Sequence, residues 1–413
     1  MPTRRGWAVL GAALLLWAAA RVVGSQDLHM VAAGLAVLPF LATAFVHWNR
    51  VHLTVRRHLS SARVFAGQRV TVTLTVANRG PGTAPFLLLE DTLPPSLGKA
   101  ARLVTSGIPP RREQVLSYTL ACRTRGRYEV GPLTISLTDP FGLARVRMQW
   151  GQPSTLVVYP AVERVEAAAL TAPGAGNGES RARQLFRSAA EFYALREYVV
   201  GDDLRRIHWR STARMGRLMI RQDEATRRSG ATVFLDTRQS ALGGLGSASF
   251  ERAVSAAASV GLALLRAGFA VHLGTVDMPP DPTTEDRLLE TLAAITPSRE
   301  RAITRALTAL RGVAAGESTL VLVTGPPSGP ELSALSRAGA RFGRKVAVLV
   351  QPVRPAGLPT ADRAELEARV QSARTQLQHA RWQVCVLEPD QRLSEVWKLT
   401  PTLRRRPVPV PSS

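Results

Sequence analysis

The sequence predicts a multidomain chain: two N-terminal transmembrane helices, a small antiparallel β-sandwich, and an α/β domain built on a parallel sheet. Three observations predict it. Two long apolar stretches open the chain, period-two alternation between Gly/Pro turns follows, and beyond residue 231 apolar strand runs alternate with helical stretches. At 413 residues there is room for two or three separate cores. The expected organisation is a helical hairpin over 1–50, the sandwich over 51–160, a loop and charged segment over 161–230, the α/β domain over 231–400, and a disordered tail over 401–413.

The membrane prediction comes first in chain order. Gly6–Val23 is apolar apart from Arg21, and Met30–Val46 carries no charge. Each approaches the roughly 20 residues that a helix needs to cross a bilayer. Gly24–His29 is too short to hold a domain, so the two form a hairpin. Arg4 and Arg5 precede the first span and Arg50, Arg56 and Arg57 follow the second, which places both flanks and the main body in the cytoplasm. Arg21 can snorkel to the interface, and Trp7 and Trp48 sit where interfacial aromatics belong. The other reading of the first stretch is a signal peptide cut near Gly24; a stop-transfer second span would still leave the rest cytoplasmic.

The strand Val70–Val76 alternates perfectly, and further alternating runs stand at Phe86–Leu89, Val115–Cys122 and Leu133–Leu137. Turn residues such as Asn78–Gly82 separate them, the pattern of a small antiparallel sandwich. Thr171–Ser180 is a Gly-rich break. From Ala231, strand runs at Thr232–Leu235, Ala270–Val276, Thr319–Val323, Val346–Val350 and Val384–Leu387 alternate with helical stretches at Phe250–Arg266, Glu285–Ala294, Ile303–Val313, Glu331–Ala338 and Arg363–Ala380. That spacing demands crossovers, hence a parallel sheet with helices on both faces and a ligand edge at the strands' carboxyl ends.

The densest chemistry lies between Glu191 and Ile220, EFYALREYVVGDDLRRIHWRSTARMGRLMI. Glu191, Glu197, Asp202 and Asp203 are interleaved there with Arg196, Arg205, Arg206, Arg210, Arg214 and Arg217, and with Phe192, Tyr193, Tyr198 and Trp209. Planar guanidinium forks bind carboxylates bidentately, so a partly buried ion-pair lattice is expected. Asp202 or Asp203 would cap a short helix running through Arg214, Gly216 would stop it, and a strand would resume at Arg217–Gln222. His208 lies in that helix without a second ligand nearby and is read as structural.

This order of residues resembles the signature of the domain of unknown function 58 family, E-F-x-x-L-R-x-Y-x-x-G-D-D-x-R-x-I-x-W-x-x-x-A-R-x-G-x-L. It runs here through Glu191, Phe192, Leu195, Arg196, Tyr198, Gly201, Asp202, Asp203, Arg205, Ile207, Trp209, Ala213, Arg214, Gly216 and Leu218. Arg125–Tyr128, Gly131-Pro132 and Asp139–Leu143 resemble the family pattern further upstream. At the first strand end of the α/β domain, Asp236-Thr-Arg-Gln-Ser240 resembles the opening of a von Willebrand factor A domain, where Asp-x-Ser-x-Ser holds magnesium. Asp236 and Ser240 are thus candidate metal ligands, but Arg238 stands where that family has Ser, and a guanidinium repels a cation. Leu322–Gly325 also lacks the aspartate which that family places there. The site reads as degenerate, with Asp236 either pairing with Arg238 or capping the following loop, and no cofactor is expected. Ser240, Thr275, Asp277 and Thr324 remain as polar contacts for a partner.

Composition narrows the functional classes. The formal charge is +22, yet of 53 basic residues only Lys99, Lys345 and Lys398 are lysine, as in a GC-rich genome. Residues 181–230 hold 12 Arg against 6 acidic residues without a basic run, and no nucleic-acid-binding motif occurs, so no nucleic-acid partner is expected. Cys122 and Cys385 read as buried hydrophobes in a reducing compartment. The resemblance implies a membrane-tethered, non-enzymatic interaction or assembly protein that partners a MoxR-type AAA+ ATPase and a membrane transglutaminase-like protein. Under that reading Glu191, Arg196, Tyr198, Gly201, Asp202, Asp203, Arg205, Trp209, Arg214 and Gly216 shape a surface. One alternative is a hydrolase using Glu191, Asp202, Asp203 and His208, although nearby arginines would hold the acids ionised and neither G-x-S-x-G nor a P-loop occurs. A second alternative is electrostatic binding of nucleic acid or anionic lipid by Arg205, Arg206, Arg210 and Arg214.

Overall fold

In the computed structural model the described residues are 2–50, 53–84, 87–105, 107–166, 194–199, 204, 207–222, 230–313, 318–352 and 360–398. The expected Gly-rich loop at Thr171–Ser180 and the tail over 401–413 lie outside them. The chain divides into two compact units, Met1–Ala161 with Leu289–Ile295, and Val162–Leu288 with Thr296–Ser413.

The first unit holds helices α1 (Arg4–Val23) and α2 (Gln26–Arg50) and strands β1–β10. The Thr3 side chain caps α1 by accepting the Gly6 amide at 3.2 Å. Both helices are long and apolar enough to cross a membrane, and only 17% and 22% of their apolar windows are buried. A third helix, α5 (Ala248–Arg266), passes the same test of length and composition but is 67% buried, which makes it a core helix of the second unit.

Among the described residues ten strands follow the hairpin: β1 (Leu53–Leu59), β2 (Arg63–Phe65), β3 (Arg69–Asn78), β4 (Leu87–Asp91), β5 (Ala101–Thr105), β6 (Glu113–Ala121), β7 (Gly126–Val130), β8 (Leu133–Thr138), β9 (Arg145–Trp150) and β10 (Ser154–Tyr159). They form sheets β1-β3-β6, β2-β10-β7 and β5-β4-β8-β9. Alternation on β3 buries Val70, Val72, Leu74 and Val76 completely, and these share one core with Leu87, Leu89, Ile135, Leu137, Leu156 and Val158. One pairing departs from the expected antiparallel pattern: β2 runs parallel to β10. The upstream motif Asp139–Leu143 is a turn. The Asp139 carboxylate accepts the amides of Phe141 (2.9 Å) and Ala144 (2.6 Å), as an Asx turn requires.

The second unit contains the hairpin β11 (Ala194–Glu197) and β12 (Met219–Gln222), joined through helix α3 (Trp209–Met215), followed by the α/β sheet. That sheet comprises β13 (Gly230–Leu235), β14 (Ala270–Thr275), β15 (Asp281–Pro282), β16 (Thr319–Thr324), β17 (Arg344–Val350) and β18 (Gln383–Leu387), in the order β15-β14-β13-β16-β17-β18. All neighbours are parallel except the short edge strand β15. The helices along the chain are α4 (Gln239–Leu242), α5, α6 (Glu285–Ala294), α7 (Thr304–Val313), α8 (Gly329–Gly339), α9 (Thr360–His379) and α10 (Leu393–Lys398). Phe234, Leu320, Leu322, Ala347 and Leu349 share a core with α7, α8 and α9, while α5 packs on the sheet outside that cluster. Each fully buried Val or Leu in such a core contributes about 1.5–3 kcal/mol. Cys122 and Cys385 are both buried and unbridged.

Candidate functional site

The strand order places β13 at the centre, with the chain leaving it first toward β14 and later crossing to β16 on its other side. The gap between the carboxyl ends of β13 and β16 is therefore the topological switch point, where open α/β sheets hold their ligands. Asp236 follows β13 directly, donates its amide to the Val323 carbonyl at 2.8 Å, and is fully buried. Thr324, the last residue of β16, donates its hydroxyl to Asp236 Oδ2 at 2.7 Å.

The crevice is filled by a side chain of the protein itself. Arg238 Nε donates to Asp236 Oδ1 at 2.9 Å and its Nη2 to Oδ2 at 2.8 Å, a bidentate pair. Its Nη1 donates to Glu331 Oε1 and, at 3.0 Å, to the Arg301 carbonyl. Arg238 is only 2% exposed. Burial alone would lower its pKa, but the hydrogen bonds and charges of Asp236 and Glu331 more than offset this and raise it above the ordinary value. Glu331 lies in the first turn of α8, and its Oε2 accepts the amide (2.7 Å) and hydroxyl (2.8 Å) of Ser328. Burial pushes the Glu331 carboxyl up, yet the Ser328 and Arg238 hydrogen bonds outweigh it and hold the group below its ordinary value. Gly325 is required nearby, because a Cβ there would collide with the Ala241 carbonyl of α4.

A second tier lies outward. Asp277 accepts from the Ser298 hydroxyl at 2.8 Å and the Thr237 hydroxyl at 3.4 Å, and Ser298 is stitched to the first loop through Thr237 O (2.7 Å) and Gln239 N (2.9 Å). Asp277, Arg299, Glu300 and Arg301 are exposed and line a shallow recess. Thr275 hydrogen-bonds across its own turn to Met278.

This arrangement decides between the two sequence readings of Asp236: it pairs with Arg238, and it also accepts the Arg238 amide at 3.2 Å. The set does not fit a divalent cation, since both Asp236 oxygens are engaged and a guanidinium lies against them. Ser240 stands exposed on α4 and makes no recorded bond to this cluster. Among the described residues, no group of three or more His, Cys, Asp or Glu could hold a metal ion.

The charged signature is described only in part. Glu191, Phe192, Tyr193, Gly201, Asp202, Asp203, Arg205 and Arg206 lie outside the described residues. Arg196 sits in β11 opposite Ile220, and the Tyr198 amide donates to Leu218 O at 2.9 Å. The expected cap is corrected: α3 begins at Trp209, and its N-cap is His208, whose Nδ1 receives the Ser211 amide (3.3 Å) and meets the Ser211 hydroxyl at 2.8 Å. Gly216 ends the helix in the left-handed region at φ 67°, as expected. The expected partial burial is not seen in the described portion. Trp209 is 68% exposed, Arg210 and Arg214 are exposed, and Arg217–Glu197 is a surface pair at 3.5 Å.

A model of the family "Protein of unknown function DUF58" matches residues 194–384. Over this stretch the chain is similar to the DUF58 family. The DUF58 match opens in β11 and ends in β18, so it takes in the hairpin, α3 and the sheet with its Arg238 cluster. The "Uncharacterized protein YeaD" of Bacillus subtilis (strain 168) is 27% identical over 229 residues, 53% of this chain and 55% of that protein. The chain thus spans about half the length of that curated relative. Among solved structures, a CARDB domain from Pyrococcus furiosus is 16% identical over 26% of this chain and 91% of its own, with a TM-score of 0.20. The DNA glycosylase AlkC of Pseudomonas fluorescens is 12% identical over 32% and 39%, with a TM-score of 0.19. Scores this low carry no argument about the fold or function of this chain.

Sequence reasoning missed Glu331, Ser298 and Thr237. The usable signal for Glu331 was Ser328-Gly-Pro-Glu331, a capping-box spacing just past an apolar strand. Its link to Arg238, 93 residues away, has no sequence signature.

Proposed function

We propose that this protein is a membrane-tethered, non-enzymatic interaction or assembly protein. One observation carries the reading: the ligand crevice of the parallel sheet is filled by the chain's own Arg238, held by Asp236 and Glu331. A crevice filled this way serves to fix the loops of the edge, and the rim around it then presents Asp277, Arg299, Glu300 and Arg301 as a polar surface, with Asp277 held from beneath by the buried Thr237. Such a rim suits docking better than turnover, because its Asp277 carboxylate is already committed to the Ser298 and Thr237 hydroxyls.

In this reading the α/β domain is a von Willebrand factor A-like module whose cation has been replaced by a guanidinium. The two helices cross the membrane as a multi-pass hairpin with the main body in the cytoplasm. The resemblance of the signature to the family supports a MoxR-type AAA+ ATPase as partner, with a membrane transglutaminase-like protein in the same assembly. The hydrolase alternative needs a free base. Of its proposed residues only His208 is described, and its Nδ1 caps α3.

Affinity capture with the full chain from detergent-solubilised native membranes tests the proposal. Recovery of an AAA+ ATPase, reduced by the rim variant D277A/R301A, is expected. A capture free of any such ATPase would sink the partner assignment.

A further inference from the structure

Where α1 and α2 meet the strands of the first unit, the protein has a recess of ≈ 960 Å³. Its basic side chains come from separate elements: Arg4 and Arg5 from the first turn of α1, Arg145 and Arg147 from β9, with the His47 imidazole beside them from the end of α2. Among the described residues its lining contains no aspartate or glutamate. Arg145 and Arg147 are two apart on one strand and so project to the same face, both exposed. Arg145 Nε also donates to the Thr138 hydroxyl of the lining at 3.3 Å.

The recess has a fixed floor. The Thr3 hydroxyl donates to Gly142 O at 2.6 Å, the Thr3 amide donates to Leu143 O at 2.8 Å, and Gly6 packs so closely on Leu143 that a Cβ would clash. Ala42 and Val46 of α2 enter the core of the same unit. These basic side chains are therefore held at the ends of the two apolar helices, at the level marked by Trp7 (64% exposed) and Trp48 (73% exposed). Four guanidinium groups stand around one hollow, where a single anion can meet several of them at once. Their planar forks match phosphate oxygens, and the N-terminus of a 20-residue helix adds partial positive charge. The volume suits a small polar group with part of its glycerol.

We propose that this recess binds the phosphate of an anionic phospholipid headgroup, from the leaflet on the side of the β strands. Free phosphate shares the chemistry, but only a lipid also places its acyl chains along the exposed apolar residues of α1 and α2. The inference rests on the membrane-anchored part of the proposed function and is independent of any ATPase partner.

The test uses the full chain in a mild non-ionic detergent, stripped of lipid and offered phosphatidylglycerol, phosphatidylcholine or inorganic phosphate, with occupancy read by native mass spectrometry. Phosphatidylglycerol is expected to be retained at least about tenfold better than phosphatidylcholine. R145A/R147A is expected to weaken it by about tenfold or more, the order expected for two arginines near an anionic surface. R369A/R374A removes the same charge from exposed positions of α9 and should leave retention unchanged. Equal retention of the two lipids, unaltered binding by R145A/R147A, equal loss in R369A/R374A, or occupancy by phosphate without preference for phosphatidylglycerol would each overturn the proposal. If the double variant misfolds, the single R147A carries the test, with a severalfold loss expected and none overturning it. A failure of membrane anchoring shows separately, as full chain recovered from cells in the soluble fraction without detergent.

Discussion

Each unit of this protein buries an arginine against an aspartate, and the two clusters differ in how they balance. In the first unit Arg57 Nε and Nη2 grip Asp91 at 3.1 and 2.6 Å, and Tyr118 donates its hydroxyl to the same carboxylate at 2.6 Å. The remaining Arg57 donor goes to the carbonyls of Val130 (2.8 Å) and Gln152 (3.3 Å). One positive and one negative charge cancel, and every partner belongs to the framework. At the sheet edge, Arg238 faces two acids, Asp236 and Glu331, so +1 and −2 leave a net −1. The amide end of α8 at Ser328 offsets that excess. A neutral pair locks strands together, whereas an unbalanced triad ties three separate loops at the place where a partner would arrive.

The largest effect expected from this contrast follows loss of the arginines. Removing one partner of a buried pair costs about 3–5 kcal/mol, because the remaining charge is stranded. Arg238→Ala strands two carboxylates and Arg57→Ala strands one, so R238A should destabilise its unit more than R57A destabilises its own. Hydrogen exchange on the full chain in detergent reads each unit separately, through amides of β13 and β16 in one case and β3 and β8 in the other. Greater protection loss in R57A would break the comparison.

The next effect is pH-dependent and opposite in sign for the two clusters. Glu331 is depressed below its ordinary 4.5, so its contribution is present above that value and disappears as pH falls through the lower folded value. The Tyr118 phenol is raised above its ordinary 10.0, mainly by burial and then by Asp91, so its contribution is complete below pH 10 and is lost as pH rises through the folded value. Exchange should therefore accelerate first around α8 in acid and around β6 in alkali. E331Q should flatten the acid limb and Y118F the alkaline one. If both variants leave the profiles unaltered, the charge bookkeeping above is wrong.

These clusters also show how far the sequence could be read. The elements were legible because their periods are strong: Val70 to Val76 alternates without a break, and the five apolar parallel strands recur between helical stretches. Local chemistry was legible too, since Asp236 and Arg238 are two residues apart and a pairing could be weighed from that spacing alone. Arg57 with Asp91, and Arg238 with Glu331, were not, because each depends on crossovers that leave no trace in local spacing. The parallel pairing of β2 with β10 was illegible for a related reason: a three-residue strand has too few positions to reveal a register. In the signature, Gly216 was read correctly from its own backbone need, while the helix start was misplaced. Aspartate is the commoner cap, and a histidine filling that role from position 208 breaks the usual preference.

The signature hairpin gives the smallest effects, and these sharpen the contrast between buried and exposed charge. His208→Ala removes the cap of α3 and should cost about 1 kcal/mol, seen as faster exchange within 209–215 and nowhere in the sheet. Arg217→Ala should cost less, at most about 1 kcal/mol, because the Arg217–Glu197 pair is more than half exposed on both sides and screened by solvent. The same change made at Arg238 is expected to cost several times as much, although both residues are arginines bound to a carboxylate. What separates them is where the carboxylate stands: Glu197 keeps its water when its partner leaves, and Asp236 has none to recover. A double-mutant cycle on Arg217 and Glu197 that returned a coupling of several kcal/mol would show that the hairpin's charges work as a buried lattice after all, and would transfer to the signature the role assigned here to the sheet edge.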